Sequence, residues 1–310
     1  MSKVLITGAS GLLGRAVLRR LKDKKEYEVY AVTTKASRLS EYTYVNVVVC
    51  DLTSEDERRK LIEDVRPDIM IHLAWDQSDA NFRMSLSNMR WLEISKSLLW
   101  IFEQNGGKKF LFAGSSSEYD GTSGIMNENV DEIPKSLYGL CKKTFNEYGR
   151  KYCKEHNIEY VGMRLFTIYG AEDEHNFGAI PSAFAKLRNG EKIECNSPQT
   201  TRDYIYSEDA ANVVVQLMEG SYQGIVNVAS GQGRSMKEVF ECIGKAMNKE
   251  TLITMNEHSG EGTRFEADIS LLKGIGVTGY CSDFEMRINE IKLSLLAHEK
   301  NKQIKKISKL

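Results

Sequence analysis

Three glycines near the N-terminus constrain the fold of this chain more than any other feature. Gly8, Gly11 and Gly14 follow an apolar segment, residues 3–7, that is typical of a β-strand, and they open a helical pattern over residues 11–22. In such a turn one glycine permits the tight bend, one lets the backbone approach a pyrophosphate, and one lets the helix pack against the strand. The turn therefore predicts a dinucleotide site within a βαβ unit.

The rest of the first half alternates strand and helix patterns. We predict strands over residues 28–33, 45–50, 68–74 and 109–114, and helices over 54–65 and 85–104. Ser54 followed by Glu57 is a capping-box pattern for the first of those helices. Such alternation predicts a doubly wound parallel sheet with helices on both faces, which is the Rossmann architecture of the α/β class.

The second half is less regular and predicts a smaller C-terminal lobe. Its helices are expected over residues 136–156, 178–188, 207–218, 235–247 and 283–298, and its strands over 159–166, 192–195, 204–206 and 225–228. We expect residues 1–165 to form the dinucleotide-binding domain. Residues 166–298 are expected to form a substrate-binding lobe, with some strand crossing back. The lysine-rich residues 299–310 predict a flexible basic tail.

The charge balance restricts the partners that we expect. The 310 residues carry 42 Lys and Arg against 43 Asp and Glu, a formal net charge of −1, which does not suit a broad nucleic-acid surface. No stretch approaches the roughly 20 apolar residues that span a bilayer. The N-terminus enters a strand at once, without the pattern of a cleavable signal. We therefore expect neither nucleic acid nor membrane as a partner, and a few local cations to hold any anion.

The cysteine pattern bears on compartment and on metals. Six cysteines are scattered along the chain without a Cys-x-x-Cys pair. Cysteines used in this way are typical of thiols in a reducing cytoplasm and not of a disulfide framework. Their spacing also predicts no zinc site. We therefore expect a cytoplasmic protein without a bound metal.

The end of the second predicted strand bears on the choice of dinucleotide. NAD sites usually place an Asp or Glu about 20 residues after the glycine turn, to hold the ribose 2′-hydroxyl. Here the strand ends in Thr33, followed by Lys35 and Arg38 and no carboxylate, which suits a 2′-phosphate. We favour NADP(H), with NAD(H) as the alternative if both cations only lie in a solvated loop. Asp51 and Leu52 are expected at the adenine, and Asp51 is also a candidate cap of the next helix.

A Tyr-x-x-x-Lys pair, Tyr138 and Lys142, is the main candidate for chemistry. On a helix these two side chains share a face, so both can reach one pocket. A free tyrosine titrates near pH 10, and a neighbouring ammonium lowers the pKa of its hydroxyl toward neutrality. The strand before this helix leads into a serine run, residues 115–117, which supplies a hydroxyl to polarise a carbonyl or else forms a surface turn.

Together these motifs resemble the extended short-chain dehydrogenase/reductase family, and the resemblance covers nearly the whole chain. The early motifs occur in the family's order and are Gly8-x-x-Gly11-x-x-Gly14, Asp51-Leu52, His72-Leu73-Ala74, the serine run before Tyr119, and Tyr138-x-x-x-Lys142. The later matching segments are Arg164-x-x-Thr167-x-Tyr169-Gly170, Arg202-Asp203 with Asp209, and Asn227-Val-Ala-Ser230-Gly231. The resemblance implies a nucleotide-diphosphate sugar as the substrate.

The resemblance also implies a role for each matching residue. Tyr138 is the acid–base, Lys142 its electrostatic partner, and Ser115 the hydroxyl that binds the sugar oxygen, with Ser116 as its close rival. The residues implied at the cofactor are Gly8, Ser10, Gly11, Leu12, Leu13, Gly14, Thr33, Lys35, Arg38, Asp51, Leu52, Leu73, Ala74, Trp75, Tyr138, Lys142 and Phe166. Those implied at the substrate are Trp75, Ser115, Ser116, Tyr138, Thr167, Arg202 and Arg264. Both arginines are implied to bind the diphosphate, and Trp75 either stacks on the substrate or only packs the strand end.

Departures from the family pattern bear on the reaction. The family's 4,6-dehydratases place Asp-Glu after the catalytic hydroxyl, where this chain has Ser116 and Ser117, and Glu118 lies one residue off. A dehydratase is therefore disfavoured. The cations after the second strand favour an NADPH-dependent 4-ketoreductase of deoxysugar and cell-surface polysaccharide synthesis. The alternative is an NAD-dependent nucleotide-sugar 4-epimerase, and a non-catalytic NAD(P) sensor or RNA-binding scaffold ranks third.

Two helices are candidates for contact with a second copy. Family members often dimerise through two helices each, which here are residues 85–104 and 136–156. The apolar surplus of these helices includes Trp91, Leu98, Leu99, Trp100 and Ile101. This surplus is compatible with a homodimer and equally with burial of those side chains on the sheet.

Overall fold

The computed structural model describes residues 1–173, 178–256, 262–281 and 283–307, with side chains as far as residue 297. The strands are β1 (Ser2–Thr7), β2 (Tyr27–Thr33), β3 (Asn46–Val49), β4 (Ile69–His72), β5 (Lys109–Ala113), β6 (Gly124–Met126), β7 (Glu159–Leu165), β8 (Thr167–Tyr169), β9 (Ile193–Cys195), β10 (Thr201–Tyr206), β11 (Gly224–Val228), β12 (Gly233–Ser235), β13 (Ile253–Met255) and β14 (Arg264–Ala267). The α-helices are α1 (Leu12–Leu21), α2 (Glu55–Val65), α3 (Ser87–Gln104), α4 (Leu137–Glu155), α5 (Ala179–Arg188), α6 (Ser207–Glu219), α7 (Met236–Met247), α8 (Ser270–Gly274) and α9 (Phe284–Ile307).

A seven-stranded parallel sheet forms the centre of the N-terminal half. Its strand order is β11-β7-β5-β4-β1-β2-β3. Helices α1 and α6 pack on one face, and α2, α3 and α4 pack on the other. The apolar run of β5 is buried along its whole length because helices cover both faces of the sheet. The doubly wound Rossmann architecture that the sequence predicts is therefore confirmed.

The order of the strands creates a crevice at the carboxyl ends of β1 and β4. These two strands are neighbours, but the helices that follow them, α1 and α3, lie on opposite faces of the sheet. The loops that lead into the two helices therefore diverge. Ligands of doubly wound sheets bind in the crevice that such a divergence leaves.

A smaller lobe is built on a second sheet with the order β12-β10-β14-β6, with β8 paired to β10. The strand pair β9–β13 and the helices α5, α7 and α9 enclose a third apolar core. Two strands cross between the halves, because β11 returns to the edge of the large sheet and β6, earlier in the chain, pairs with β14. The crossing back is observed at β11, and the domain division near residue 165 stays a prediction.

The last helix extends further than its sequence pattern predicts. Helix α9 runs past residue 298 and ends at Ile307, so most of the expected flexible tail has a helical backbone. Lysine and glutamine, which are frequent there, have good helix propensity. Residues 308–310 lie outside the described residues. Within the described part of the chain, no helix combines the length and the apolar character that crossing a bilayer needs.

Most of the apolar surplus on α3 is used inside the protein. Leu98, Leu99 and Ile101 are buried between α3 and the sheet. Trp91 is half-buried beside the same core, and Trp100 is 43% exposed, with the Arg59 guanidinium 5.5 Å from its ring centroid. These five side chains therefore leave little free apolar surface of their own.

Candidate active site

The glycine turn lies at the crevice and brings three elements into backbone contact. Gly8 has a φ of +69°, in the left-handed region, and a Cβ atom there would lie 2.7 Å from the backbone nitrogen of Ala74. A Cβ atom on Gly14 would lie 2.3 Å from the carbonyl oxygen of Gly8. A side chain at either position would separate β1, the end of β4 and α1. The close packing therefore requires glycine at both positions.

The first turn of α1 faces the crevice without a side-chain cap. Gly11 occupies the cap position and donates its N–H to the Gly8 carbonyl at 3.0 Å. Leu12 and Leu13 follow, and Leu13 is buried under the helix. The Ser10 hydroxyl accepts a hydrogen bond from the Thr33 hydroxyl at 3.1 Å, which ties the turn to the end of β2. The N–H groups of this first turn fit a pyrophosphate.

The end of β2 carries cations and no carboxylate. Thr33 is buried, and Lys35 and Arg38 are exposed in the 3₁₀ turn that follows. Residues 33–40 include neither Asp nor Glu. Because β2 pairs with β1, both cations follow the strand end that lies beside the glycine turn. These surroundings suit a phosphate better than a bare ribose hydroxyl.

Asp51 and Leu52 follow β3 as predicted, but Asp51 does not cap α2. Its carboxylate accepts hydrogen bonds from the backbone and the hydroxyl of Thr53, at 2.9 and 2.8 Å, and these bonds lower the pKa of Asp51. The cap of α2 is Ser54, whose hydroxyl accepts from the backbone of Glu57. Only one of the two hydrogen bonds of the predicted capping box forms, because the Glu57 carboxylate accepts from the backbone N–H of Asp51 and not from that of Ser54. Leu52 is buried.

The last residue of β4, a neutral histidine, and a tryptophan of the segment that follows pack against the site. His72 is fully buried between the hydroxyls of Thr7 and Ser95, at 2.7 and 2.9 Å, and burial lowers its pKa to about 3. Leu73 and Ala74 follow, half-buried, at the glycine turn. The indole N–H of Trp75 donates to the Asn88 side chain at 2.8 Å, and its ring face carries the Lys142 ammonium at 3.8 Å. Trp75 therefore packs the strand end, which is the simpler of its two expected roles.

Tyr138 and Lys142 meet at the start of α4, as the helical spacing predicts. The Tyr138 hydroxyl accepts a hydrogen bond from the Gln77 amide at 3.0 Å, and the Ser115 side chain lies near enough to lower the pKa of Tyr138. Burial raises the pKa of Tyr138, while these two side chains and the nearby charge of Arg83 oppose the rise. The hydroxyl thus lies buried beside Ser115, with groups around it that both raise and lower its pKa.

Lys142 is almost fully buried one turn below Tyr138. Its ammonium donates to the carbonyl of Ala113 at 2.6 Å and lies 5.5 Å from the centroid of the Tyr138 ring. Burial lowers its pKa to about 7. The carbonyl of Ala113 and the face of Trp75 favour the charged form and so oppose this effect of burial.

The serine run forms a 3₁₀ turn, residues 116–119, that Ser115 caps. The Ser115 hydroxyl accepts from the backbone of Ser117 at 3.1 Å and faces Tyr138, whereas Ser116 is half-buried. Glu118 turns away and is fully buried. Its carboxylate accepts from the Ser115 backbone at 2.8 Å and pairs with Arg164 at 3.0 Å. This contact set shows that Glu118 supports the turn and does not face the reaction site.

The lobe carries one residue expected at the cofactor, Phe166, and three expected at the substrate, which are Thr167, Arg202 and Arg264. Phe166 is buried against Phe265, Thr167 is exposed on β8, and the Arg202 guanidinium lies 5.7 Å from the Phe265 ring centroid. Arg202 pairs in register with Phe265, so the next residue along either strand points to the other face. Arg264 accordingly projects from that other face, where it pairs with Glu266 at 2.9 Å.

The strand register thus places Arg202 and Arg264 on opposite faces of the lobe sheet, and their joint contact with one diphosphate stays a prediction. The two residues lie on adjacent strands, but their register is offset by one residue. Such an offset reverses the direction of a strand side chain. Arg202 lies on the face of Phe265 and within electrostatic range of Arg83, whereas Arg264 lies on the other face.

The loop after β4 supplies three site residues that the sequence analysis missed. Gln77 hydrogen-bonds to Tyr138, Phe82 packs edge-on against the Tyr138 ring with centroids 5.1 Å apart, and Arg83 donates to the Ser117 hydroxyl at 2.8 Å. Loop residues of this kind follow no helical or strand period. The only signal in the sequence is their place after a strand that ends at the crevice.

A comparison with models of known protein families places the chain in one of them. The sequence model described as the NAD dependent epimerase/dehydratase family matches residues 4–229. The chain belongs to this family of NAD(P)-dependent enzymes. This confirms the resemblance to the extended short-chain dehydrogenases/reductases that act on nucleotide sugars.

The fold is shared with several sugar epimerases. The UDP-N-acetylglucosamine 4-epimerase of Methanobrevibacter ruminantium, in complex with UDP-N-acetylmuramic acid, is 23% identical, with a TM-score of 0.83 over 96% of this chain and 99% of that one. The Thermus thermophilus UDP-glucose 4-epimerase, in complex with NAD, is 22% identical, with a TM-score of 0.77 over 93% and 96%. The Bacillus cereus UDP-glucuronic acid 4-epimerase, bound to UDP-glucuronic acid and NAD, is 21% identical, with a TM-score of 0.81 over 95% and 99%.

Proposed function

We propose that the chain oxidises and reduces C4 of a nucleotide-linked hexose with a bound nicotinamide dinucleotide, and that it acts as a 4-epimerase. The observation that carries this proposal is the burial of Tyr138, Ser115 and Lys142 together at the start of α4, with the Lys142 nitrogen 5.5 Å from the centroid of the Tyr138 ring. The family and the epimerases that share the fold support it. A dehydratase has less support, because serines occupy positions 116 and 117 and Glu118 is buried with Arg164.

The crevice beside the glycine turn carries groups that suit a dinucleotide. We propose that the first turn of α1 holds the pyrophosphate, that Asp51 and Leu52 adjoin the adenine, and that Phe166 adjoins the nicotinamide end. When bound, the dinucleotide supplies hydride transfer at C4. The glycine positions leave room for its backbone contacts, because a Cβ atom at Gly14 would collide with the turn itself.

We assign a separate role to each side chain in proton transfer at the C4 hydroxyl and in binding of the substrate. Tyr138 takes the proton of the C4 hydroxyl during oxidation and returns it during reduction. Ser115 hydrogen-bonds to the same sugar oxygen and shares the charge that develops on it. Lys142 favours the phenolate form of Tyr138 from below, which offsets the cost of ionising a buried tyrosine. Arg202, with its guanidinium turned to the site, binds the substrate diphosphate.

One observation supports a second candidate, an NADPH-dependent 4-ketoreductase. Lys35 and Arg38 stand after β2 where no residue from 33 to 40 is acidic. A 2′-phosphate would be stabilised by these cations, and NADP(H) is the dinucleotide of many reductions. A reductase would consume free NADPH in each turnover, whereas an epimerase regenerates its cofactor within one cycle.

Incubation without added cofactor separates the two candidates. We expect the purified full chain to interconvert two C4 epimers of a UDP-hexose, detected by NMR, when neither NAD nor NADP is added. We also expect denaturation to release a bound NAD(H). Net oxidation of added NADPH by a 4-keto sugar, together with no interconversion of epimers, would replace the epimerase by the reductase.

We also propose that two copies pair through α3 and α4. Large apolar side chains are exposed where these helices begin, with Leu86 80% exposed and Met89 and Leu140 each 48% exposed. Sedimentation of the wild-type chain is expected to give twice the mass of the chain. L140E is expected to dissociate the pair, because it places a charge in an apolar contact. The matched control is I125E, on β6, which is 50% exposed and should sediment like the wild type. A monomeric wild type would contradict the proposal.

A further inference from the structure

The loop that covers Tyr138 also places a guanidinium beside the serine run. Arg83 donates from Nη1 to the Ser117 hydroxyl at 2.8 Å, and Phe82, its neighbour, packs on the Tyr138 ring. Ser117 is buried, and a Cβ atom on Gly139 would lie 2.2 Å from its carbonyl oxygen. Arg83 and Ser117 thus lie directly beside the first turn of α4, which carries Tyr138.

The charge of Arg83 is only partly balanced by the protein. Its Nη1 lies 3.9 Å from the Asp120 carboxylate, and that carboxylate already accepts from the Ser136 hydroxyl at 2.8 Å and from the backbone of Lys135. The Arg83 side chain is 55% exposed. Its Nε and Nη2 groups point to no carboxylate among the described residues, so the planar fork keeps donors for a ligand.

A second guanidinium lies within electrostatic range across the site. Arg202 donates to the carbonyl of Thr201 and to the side chain of Thr263, and it pairs with no acid in the described part of the chain. Burial and the charge of Arg83 both lower the pKa of Arg202. Two like charges that face one region raise its affinity for anions. Because Arg202 is proposed to bind the diphosphate of the nucleotide sugar, Arg83 remains available for a second anionic group of the substrate.

We propose that Arg83 and Ser117 form a subsite for a carboxylate carried by the sugar, on a substituent of a carbon next to C4. This inference rests on the proposed function, which assigns O4 to Ser115 and Tyr138. Ser117 lies two residues after Ser115 in the same turn and donates its N–H to the Ser115 hydroxyl, so Ser117 and the Arg83 that binds it lie next to the position proposed for O4. Guanidinium and hydroxyl together match the two oxygens of a carboxylate.

Two sugar chemistries place a carboxylate in that position. A hexuronic acid carries it on C5, and a 3-O-lactyl sugar carries it through the ether oxygen on C3. The subsite distinguishes both from neutral hexoses by charge. A neutral hydroxymethyl or hydroxyl group would not form an ion pair with the Arg83 guanidinium. The repulsion between Arg83 and Arg202 would then remain uncompensated, in addition to the loss of attraction.

Matched substrate pairs test the subsite. The pairs are UDP-glucuronate against UDP-glucose and UDP-N-acetylmuramate against UDP-N-acetylglucosamine, each measured by Kd and by kcat/KM with the full chain. We expect the wild type to favour the carboxylate member of one pair by about 10- to 100-fold. That pair identifies whether the carboxylate is on C5 or on C3. R83Q should abolish the preference, R83K should retain part of it, and R20Q, on the exposed side of α1, should keep it whole.

The outcomes separate this inference from the proposed function. Conversion of neutral sugars without any preference for charge would overturn the carboxylate subsite and leave the epimerase intact. An equal loss on both members of a pair in R83Q would show that Arg83 binds the diphosphate, which also overturns it. Failure of every nucleotide sugar to bind the wild type would overturn both proposals together.

Discussion

Replacing Tyr138 with phenylalanine is expected to lower kcat by about 100- to 10,000-fold. The variant loses the hydroxyl that lies beside Ser115 and accepts from Gln77, while its ring keeps the contact with Phe82. Substrate and cofactor affinity should change far less than kcat, because the loss falls on the transition state. Steady-state kinetics with the accepted sugar, together with titration of the dinucleotide, measures both quantities.

The matched control for this variant is another tyrosine of the same helix. Tyr148 is half-buried and stacks on Tyr152 with ring centroids 5.5 Å apart, two to three turns from Tyr138. Y148F should retain a kcat close to that of the wild type. Near-normal turnover in Y138F, or an equal loss in both variants, would remove Tyr138 from the role of acid–base.

Replacing Lys142 with methionine is expected to remove a pH dependence from the free energy of unfolding of the cofactor-free protein. Burial lowers the pKa of Lys142 from 10.5 to about 7. Between these two values the unfolded chain binds a proton that the folded protein does not. The wild type therefore gains stability as the pH rises through this window, by up to about 1.4 kcal/mol per pH unit from this group. Below pH 7 the full cost of the buried charge is present.

Urea unfolding of both proteins at about pH 6, 7.5 and 9 measures this effect. The stability of K142M relative to the wild type should be greatest at the lowest pH and should decline as the pH rises. K143M is the matched control, since Lys143 is the next residue on α4 and its side chain is 27% exposed. Parallel profiles for K142M and the wild type would show that Lys142 keeps its charge throughout the range.

The large sheet and the main site were accessible from the sequence because their signals are local. The glycine turn, the strand and helix periods and the Tyr138–Lys142 spacing each depend on a few neighbouring residues. A helix of 3.6 residues per turn brings residues i and i+4 together wherever it forms. The proximity of Tyr138 and Ser115 depends on one further feature that is not local in sequence. The end of β5 must lie next to the start of α4.

The lobe was harder to predict because its elements depend on distant partners. Strands β6, β8, β12 and β14 have three or four residues each, and β6 pairs with a segment about 140 positions later. No local period marks such strands. The direction of Arg264 follows from the register of β14 against β10, which a one-residue offset reverses. Gln77 and Arg83 were missed for the same reason, since a loop takes its path from what it packs against.

The exchange of β6 and β11 between the two sheets makes the halves of this protein interdependent in folding. A chain that ended near residue 165 would lack β11, so β7 would become an unprotected sheet edge, and it would carry β6 without its partner β14. Neither half is thus a self-sufficient cooperative unit. Because β11 and β6 each pair with strands of the other half, local opening of one half would remove hydrogen-bonding partners from the other.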